Sequence, residues 1–256
     1  MIQTYKAKEL DIIREGGKIL AQVHVHVAGH VRAGISTLEL DAIASEFIKS
    51  MGAESAFLGF QKYPFSICTS VNDASIHGCP SADEILKDGD IISIDIGIRY
   101  KGFCTDAART HAVGNVSDEA KLLIEITEQS FFEAIKGLRA KSKVGDIGQR
   151  IEKFVTENSD FSIIDTYFGH GIGRSVHQEP LIPNFASTNK KIRKMVQTRL
   201  PAGCVICIEP MINVGGKDVA TCKTDKWTVR TTDGSLSAHY ENTVIITENG
   251  AEVVTL

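Results

Sequence analysis

The sequence predicts an α+β fold of two related halves, each with two helices followed by strands. Three observations carry that expectation. Four segments place apolar residues at helical spacing, and shorter alternating runs bounded by turn residues lie between and after them. Arg32-Ala33, Leu40, Ala44 and Phe47-Ile48 recur as Arg139-Ala140, Ile147, Ile151 and Phe154-Val155 at one offset of 107 residues. Finally, 256 residues at 43% hydrophobic composition suffice for one large domain with a buried core, so residues 1–256 are read as a single domain.

The first element runs from residue 6 to about residue 31, with Leu10, Ile13, Leu20, Val27 and Val31 at helical spacing. His24, His26 and His30 are interspersed in it. His26 and His30 stand one turn apart, but no acidic or histidine partner lies nearby in sequence, so ordinary imidazoles are the better reading than metal ligands. Ser36-Thr37-Leu38-Glu39 is a capping box and opens a second helix that reaches Ile48. Helices over 118–138 and 146–156 follow, with Ser117 and Asp146 as N-caps.

The strands distribute their acids legibly. Over 91–98, Ile92, Ile94, Ile96 and Ile98 share one face, which leaves Ser93, Asp95 and Gly97 on the other. A hairpin turn at Tyr100-Lys101-Gly102 then brings Asp106 within a residue of register with Asp95. Two solvated strand acids are the bland alternative, disfavoured because aspartate is depleted in strands and facing like charges repel. Glu209 ends an apolar strand over 205–208, and Pro210 after it prevents ordinary ladder bonding. Asp233-Gly234 marks a turn between strands at 227–231 and 236–246, and Asn249-Gly250 another before Glu252. Within 236–246, Ser237, His239, Glu241 and Thr243 form the polar face. His170 lies in a glycine-rich run, Gly169-His170-Gly171-Ile172-Gly173, read as a tight backbone that a ligand approaches closely. That run fails the spacing of a dinucleotide or phosphate loop, and the chain has no H-E-x-x-H or G-x-S-x-G motif.

Asp95, Asp106, His170, Glu209 and Glu241 together read as a two-metal site. Four ionised carboxylates held close repel one another and take up protons unless cations neutralise them. Two divalent ions balance four negative charges, and the chemistry they support is hydrolysis by a metal-activated hydroxide.

Composition narrows the partners. A formal charge of −4 and a pI near 6.1 exclude a general nucleic-acid binder and leave peptides or small molecules. The first residues lack a signal-peptide pattern and no apolar run is long enough to span a bilayer, so a soluble cytoplasmic protein without membrane association is expected. Six cysteines are then reduced thiols. The lone C-x-x-C at Cys204 and Cys207 lies in an apolar strand pattern and reads as buried strand thiols rather than a zinc or redox site.

At this point the motifs resemble a known family. Val71-Asn72-Asp73-Ala74-Ser75-Ile76-His77-Gly78, Asp95 with Asp106, the 170–180 segment, Ile208-Glu209-Pro210-Met211, Trp227-Thr228-Val229 and the run from Ser235 to Glu241 are together similar to type I methionine aminopeptidases of peptidase family M24. The resemblance covers nearly the whole chain. It implies the pita-bread fold, with a pseudo-two-fold antiparallel sheet and outer helices, as one catalytic domain. It further implies one metal held by Asp106, His170, Glu209 and Glu241 and another by Asp95, Asp106 and Glu241. This oxygen-dominated set suits Mn²⁺, Fe²⁺ or Co²⁺ as well as Zn²⁺.

By the same resemblance, Glu209 shuttles a proton for a metal-bridging hydroxide, and His77 and His177 contact the scissile amide. Phe57, Phe60, Tyr63, Cys68, Val176 and Trp227 surround a methionine side chain, and a monovalent cation sits near Asn72, Ala74 and Ser237. The expected activity is removal of the initiator methionine from nascent chains whose second residue is small, by a monomer. Two alternatives stay open: a proline-specific aminopeptidase or prolidase relative, and a non-catalytic binding protein on the same fold. The chain departs from the family pattern between His177 and Glu209, where it is longer and carries Lys190, Lys191, Arg193, Lys194 and Arg199. A solvated charged helix is one reading of that segment, and a ribosome-docking surface is the other.

Overall fold

Helix α1 (Ala7–Ala28) buries Ile13, Leu20, Val23 and Val27, the apolar stripe of its sequence. A Cβ on its Gly17 would lie 2.1 Å from the Val254 carbonyl oxygen, so this glycine lets the last segment of the chain lie against the helix. Helix α2 (Thr37–Ser50) starts from the expected capping box: Glu39 N donates to Ser36 Oγ at 3.2 Å, and Ser36 N donates to Glu39 Oε2 at 2.9 Å. Helix α3 (Asp118–Ile135) is capped by Ser117, whose Oγ accepts from Ala120 N at 3.1 Å. Helix α4 (Val144–Asn158) corrects the expectation at Asp146, which is its third residue rather than its N-cap. The Asp146 carboxylate reaches back to Lys143 N at 2.8 Å, as Glu39 does to Ser36 N. An acid can satisfy an N-terminal amide from either position, and only the backbone distinguishes them. Helix α5 (Arg193–Val196) is a single turn. These coordinates are a computed structural model that describes residues 2–186 and 192–256.

Among the described residues the strands fall in three groups. The first is β1 (Glu54–Ser55), β2 (Cys68–Val71), β3 (Ala74–Ile76), β4 (Ile91–Tyr100) and β5 (Phe103–Ala112). After α4 come β6 (Ser162–Ile163), β7 (Phe168–Gly171), β8 (Gln178–Pro183), β9 (Val205–Ile208) and β10 (Met211–Asn213). The chain ends with β11 (Val219–Thr221), β12 (Val229–Thr231), β13 (Ser237–His239), β14 (Glu241–Ile246) and β15 (Ala251–Val253). The main sheet runs β1-β4-β5-β14-β9-β7-β8, with β2 joined to β4 and β15 to β14, and two small sheets, β13-β10-β6 and β11-β12-β3, flank it.

The sheet has two halves that meet where β5 pairs with β14. One half is covered by α1 and α2, whose Leu20, Val27, Leu40 and Ile48 pack on Ile92, Ile94, Ile96 and Ile98 of β4. Each of those fully buried isoleucines contributes about 2 kcal/mol of transfer free energy. The other half is covered by α3 and α4, whose Leu123, Phe131, Ile147 and Ile151 pack on Ile206, Ile208, Val244 and Ile246. Leu40, Ala44 and Ile48 and their counterparts Ile147, Ile151 and Val155 are all buried core residues, so the repeat is the helix face that packs on the sheet.

Three strand expectations change. The turn of β4 and β5 uses Lys101 and Gly102, both at positive φ, and pairs Asp95 with Ala108 and Gly97 with Asp106. The two acids are therefore two residues out of register rather than one. Because side chains alternate, an offset of two keeps both on one face, whereas an offset of one would separate them. The segment 236–246 is also not one strand. It breaks at Tyr240, whose amide donates to Pro210 O, and β13 pairs with β10 while β14 pairs with β5 and β9. No hairpin forms across Asp233-Gly234, since β12 pairs with β11 and β3.

Candidate metal centre

The acids converge from both halves onto the face of the sheet opposite the helices. Asp95 and Asp106 come from the interior of the β4–β5 hairpin, Glu241 from the first residue of β14 opposite Ala108, and Glu209 from the residue after β9. Side chains hold this backbone in place. Thr243 Oγ1 accepts from Asp106 N and donates to Asp106 O, both at 2.8 Å, stitching β5 to β14 where their ladder opens. The half-buried Arg109 guanidinium donates to the carbonyls of Glu241 at 2.5 Å and Ala108 at 2.8 Å.

His170 sits in β7 between two glycines that serve the backbone, not a ligand. A Cβ on Gly169 would lie 2.4 Å from Cys207 O, and one on Gly171 2.3 Å from Glu179 O. They let β7 press between β8 and β9, so the tight backbone expected here is found, and what approaches these two glycines is neighbouring strand backbone rather than a ligand. His170 Nδ1 bonds Gly171 O at 3.0 Å, which leaves Nε2 free to face the acids, 3.5 Å from Glu209 Oε1.

Polar atoms are stranded here as they are at a metal site. Asp95 Oδ1, Asp106 Oδ1 and Glu241 Oε1 are buried with no hydrogen-bond partner among the described residues. Donor atoms of Asp95, Asp106 and Glu241 lie within 4.8 Å of one another, as do those of His170, Cys207 and Glu241. Burial first, and then mutual repulsion, raise Asp95, Glu209 and Glu241 well above the carboxylate range, and burial lifts Asp106 to about 7. Burial pushes the imidazoles the other way, His170 and His239 to about 3 and His77 to about 4. Close contacts between His170, His239 and Glu209 are thus not ordinary salt bridges, since burial opposes charge on both partners.

A cleft of about 290 Å³ opens over this floor. Phe57, Phe60, Tyr63, Cys68, His77, His177 and Trp227 line it as the sequence anticipates, but Val176 does not: it packs behind the wall with Cys68 and Tyr63. His77 has φ of +57°, an uncommon backbone for a branched ring, between β3 and Gly78. At the mouth, His177 packs edge-on against Phe60, with centroids 5.3 Å apart, and against His170, at 4.3 Å. Sequence reasoning missed Gln61, Ile76, Tyr167, Phe168 and His239. Only His239 carried a signal, its place two residues from Glu241 on the same polar face.

Other expectations fall outside the cleft. His24 Nε2 bonds Ala107 O, His26 stacks on Phe47, and His30 Nδ1 bonds His26 O, so the three rings do not converge on one point. Cys204 and Cys207 are buried free thiols in different core clusters. Cys207 faces the acids, and burial raises its pKa, so the thiol stays protonated. Asn72, Ala74 and Ser237 are brought together, Ser237 N donating to Asn72 O at 2.9 Å. Lys190 and Lys191 lie outside the described residues. No helix among the described residues is long and apolar enough to cross a membrane.

Comparison with known proteins bears on this centre. The model of metallopeptidase family M24 matches residues 11–248. The chain belongs to metallopeptidase family M24. It is 48% identical over 256 residues to a protein of Clostridium perfringens named methionine aminopeptidase, covering 100% of this chain and 99% of that one. It is 43% identical over 255 residues to methionine aminopeptidase 1 of Bacillus subtilis, covering 100% and 99%. The crystal structure of methionine aminopeptidase from Rickettsia prowazekii superposes with a TM-score of 0.94 at 36% identity, covering 100% of both chains. The architecture is the pita-bread fold.

Membership in the M24 metallopeptidases implies divalent ions at this site. The residues present fit them. Three stranded carboxylate oxygens, an imidazole oriented by a backbone carbonyl and four acids raised by burial, three of them also by mutual repulsion, form a donor set that cations relieve.

Proposed function

We propose that this chain is a methionine aminopeptidase that removes the initiator methionine from nascent chains whose second residue is small, acting as a cytoplasmic monomer. The observation that carries the reading is the juxtaposition of the five-ligand floor with an apolar slot of Phe57, Tyr63, Cys68 and Trp227 in one cleft. An aromatic slot with a sulfur suits a flexible thioether. Relatives that share the whole length of the chain carry the same name.

In this reading one ion is held by Asp106, His170, Glu209 and Glu241 and a second by Asp95, Asp106 and Glu241. When bound, the ions supply Lewis acidity toward the substrate carbonyl and acidify water. The protein's own groups do the rest. Glu209 takes a proton from the attacking water and returns it to the departing amine nitrogen, a role suited to a carboxylate with a raised pKa. His77 and His177, kept neutral by burial, hydrogen-bond the scissile amide and the oxygen that gains charge. Phe60, Tyr167 and the two imidazoles crowd the mouth, where a large second residue would collide. A monovalent cation beside Asn72, Ala74 and Ser237 belongs to the same reading, as does docking on the ribosome through the basic segment that includes Arg193, Lys194 and Arg199.

Hydrolysis of Met-Gly-Met-Met against Gly-Pro-Ala tests the reading, using metal-stripped protein with and without Co²⁺ or Mn²⁺. Metal-dependent release of methionine from the first peptide alone is expected. Cleavage only before proline would move the chain to the proline-specific relatives, and inactivity with every ion would leave a binding protein.

A further inference from the structure

Each oxygen of Glu209 faces a different imidazole. His170 Nε2 lies 3.5 Å from Oε1, and His239 Nε2 lies 3.8 Å from Oε2. His170 is accounted for as a ligand. His239 is not: its side chain is fully buried and neither ring nitrogen has a hydrogen-bond partner among the described residues. A buried ring N–H left unpaired carries its full desolvation penalty, and here the facing Glu209 carboxylate can relieve it.

The backbone of His239 is fixed. Its amide donates to Thr110 Oγ1 at 2.9 Å, and Thr110 Oγ1 donates back to His239 O at 2.9 Å, with Ser93 Oγ 2.7 Å from the same hydroxyl. A second cavity, of about 180 Å³, lies behind the ring, lined by Arg109, Thr110, His111, Glu128 and Tyr240. It is large enough to hold water that serves the other ring nitrogen. His239 thus stands as a partition between the catalytic cleft and a polar rear cavity.

We infer that His239 is a positioning residue for Glu209: it donates a hydrogen bond to Oε2, so that Oε1 is presented beside His170 and Oε2 is held for proton transfer. At 3.8 Å the pair is long for a hydrogen bond, and a torsional adjustment of about 1 Å makes one, as happens when a loaded site tightens. The inference rests on the proposed role of Glu209 as a ligand.

The test compares the full chain with His239→Gln, whose amide can still donate, and His239→Leu, which cannot. Each metal-free form is titrated calorimetrically with Co²⁺, and each loaded form is read for its visible Co²⁺ absorption and for kcat and KM on Met-Ala-Ser. Partners that orient a ligand are worth about 10–100-fold in metal affinity or activity, so His239→Leu is expected to lose at least about tenfold in Co²⁺ affinity and in kcat. Its absorption band should change while KM stays within about threefold, and His239→Gln should keep all of these within about threefold. Melting curves of the metal-free forms check folding, and His239→Met replaces the leucine variant if that one does not fold. Co²⁺ affinity and spectrum unchanged in the leucine variant would overturn the inference. So would a folded His239→Gln as impaired as His239→Leu. A Glu209→Gln control separates the two layers: if it too binds Co²⁺ like the parent, the ligand reading fails, whereas loss there beside a silent His239→Leu removes only the role of His239.

Discussion

The two halves of the sheet deliver acids to the same face by different means. In the first half, Asp95 and Asp106 rise from the interior of one regular hairpin of two ten-residue strands. In the second, Glu209 and Glu241 sit at strand ends beside Pro210 and the break at Tyr240, on side chains one methylene longer. Each half contributes one outer acid, on or after β4 or β9, and one inner acid beside the seam between β5 and β14. Only the second half adds an imidazole, His170. The difference teaches that the scaffold repeats where packing makes the same demand twice, at the helix faces over the isoleucines. The chemistry does not repeat, because in the proposed reading a substrate and two ions in unlike surroundings would need an asymmetric floor.

The sharpest way to break this comparison is to remove one inner acid. Asp106→Asn is expected to abolish both ion sites and lower kcat/KM roughly a thousandfold or more, because the proposed ligand sets share that carboxylate. Asp95→Asn, an outer acid, should cost one ion and a smaller loss, read as calorimetric stoichiometry falling from two to one. Equal losses would show that inner and outer positions are not distinct.

Stability should move the other way. Asp106 has its folded pKa raised to about 7, so its stabilising contribution is complete below the unfolded value near 4 and is lost as pH rises through about 7. Asp95, Glu209 and Glu241 are raised well above the carboxylate range, by burial and then by neighbouring acids, and act in the same sense. The buried histidines, with lowered pKa values, oppose this only below about pH 6.5, where the unfolded chain becomes protonated. The melting temperature of metal-free protein should therefore fall as pH rises through about 7, and Asp106→Asn should flatten part of that fall. A parent melting temperature that rises through the same pH would show that burial does not hold Asp106 protonated.

A smaller effect sharpens the contrast at the substrate wall. Counting from Asp95 and Glu209, Gly97 of the first half corresponds to Met211 of the second. Gly97 is bare because the Phe57 ring occupies its space: a Cβ there would lie 2.5 Å from Phe57 Cε1. Gly97→Ala should push that ring into the slot and raise KM for methionyl peptides about tenfold while ion binding stays intact. An unchanged KM would mean that Phe57 does not define the slot.

Much of this was legible in the sequence wherever a period of 3.6 or 2 carries the information. The isoleucine face of β4, the place of Asp95 on its opposite face and the capping box at Ser36 are local patterns. What was not legible depends on neighbours distant in the chain. The alternation of 236–246 continues through the break at Tyr240, so nothing local marks where one sheet hands over to another. Gly169 and Gly171 look like ligand glycines until Cys207 O and Glu179 O are seen against them. Val176 lies one layer behind the wall, and His239 acquires a role only from Glu209, thirty positions earlier.

The last contrast is one of charge, and its expected effect on hydrolysis is nil. Each half ties the start of its second helix to a short extended segment, Ser36 to Ile85 and Lys143 to Arg199. Counterpart positions are 107 apart at the helix starts and 114 apart at Ile85 and Arg199, so the additional residues of the second half lie between α4 and Arg199. That stretch carries Arg193 and Lys194, both exposed, whereas Ile85 of the first half is preceded directly by Asp83 and Glu84. Reversing Arg193 and Lys194 to glutamate should leave kcat/KM on a short peptide within about twofold, because surface charges remote from the acids add little to the chemistry. If the segment meets ribosomal RNA, the same pair of changes should weaken ribosome binding at low salt. Each lost phosphate contact should also flatten the logarithmic salt dependence by about 0.7–0.9. Binding with undiminished affinity and slope would assign the segment to an ordinary solvated helix, and the difference between the halves would then lie in the metal floor and the substrate slot.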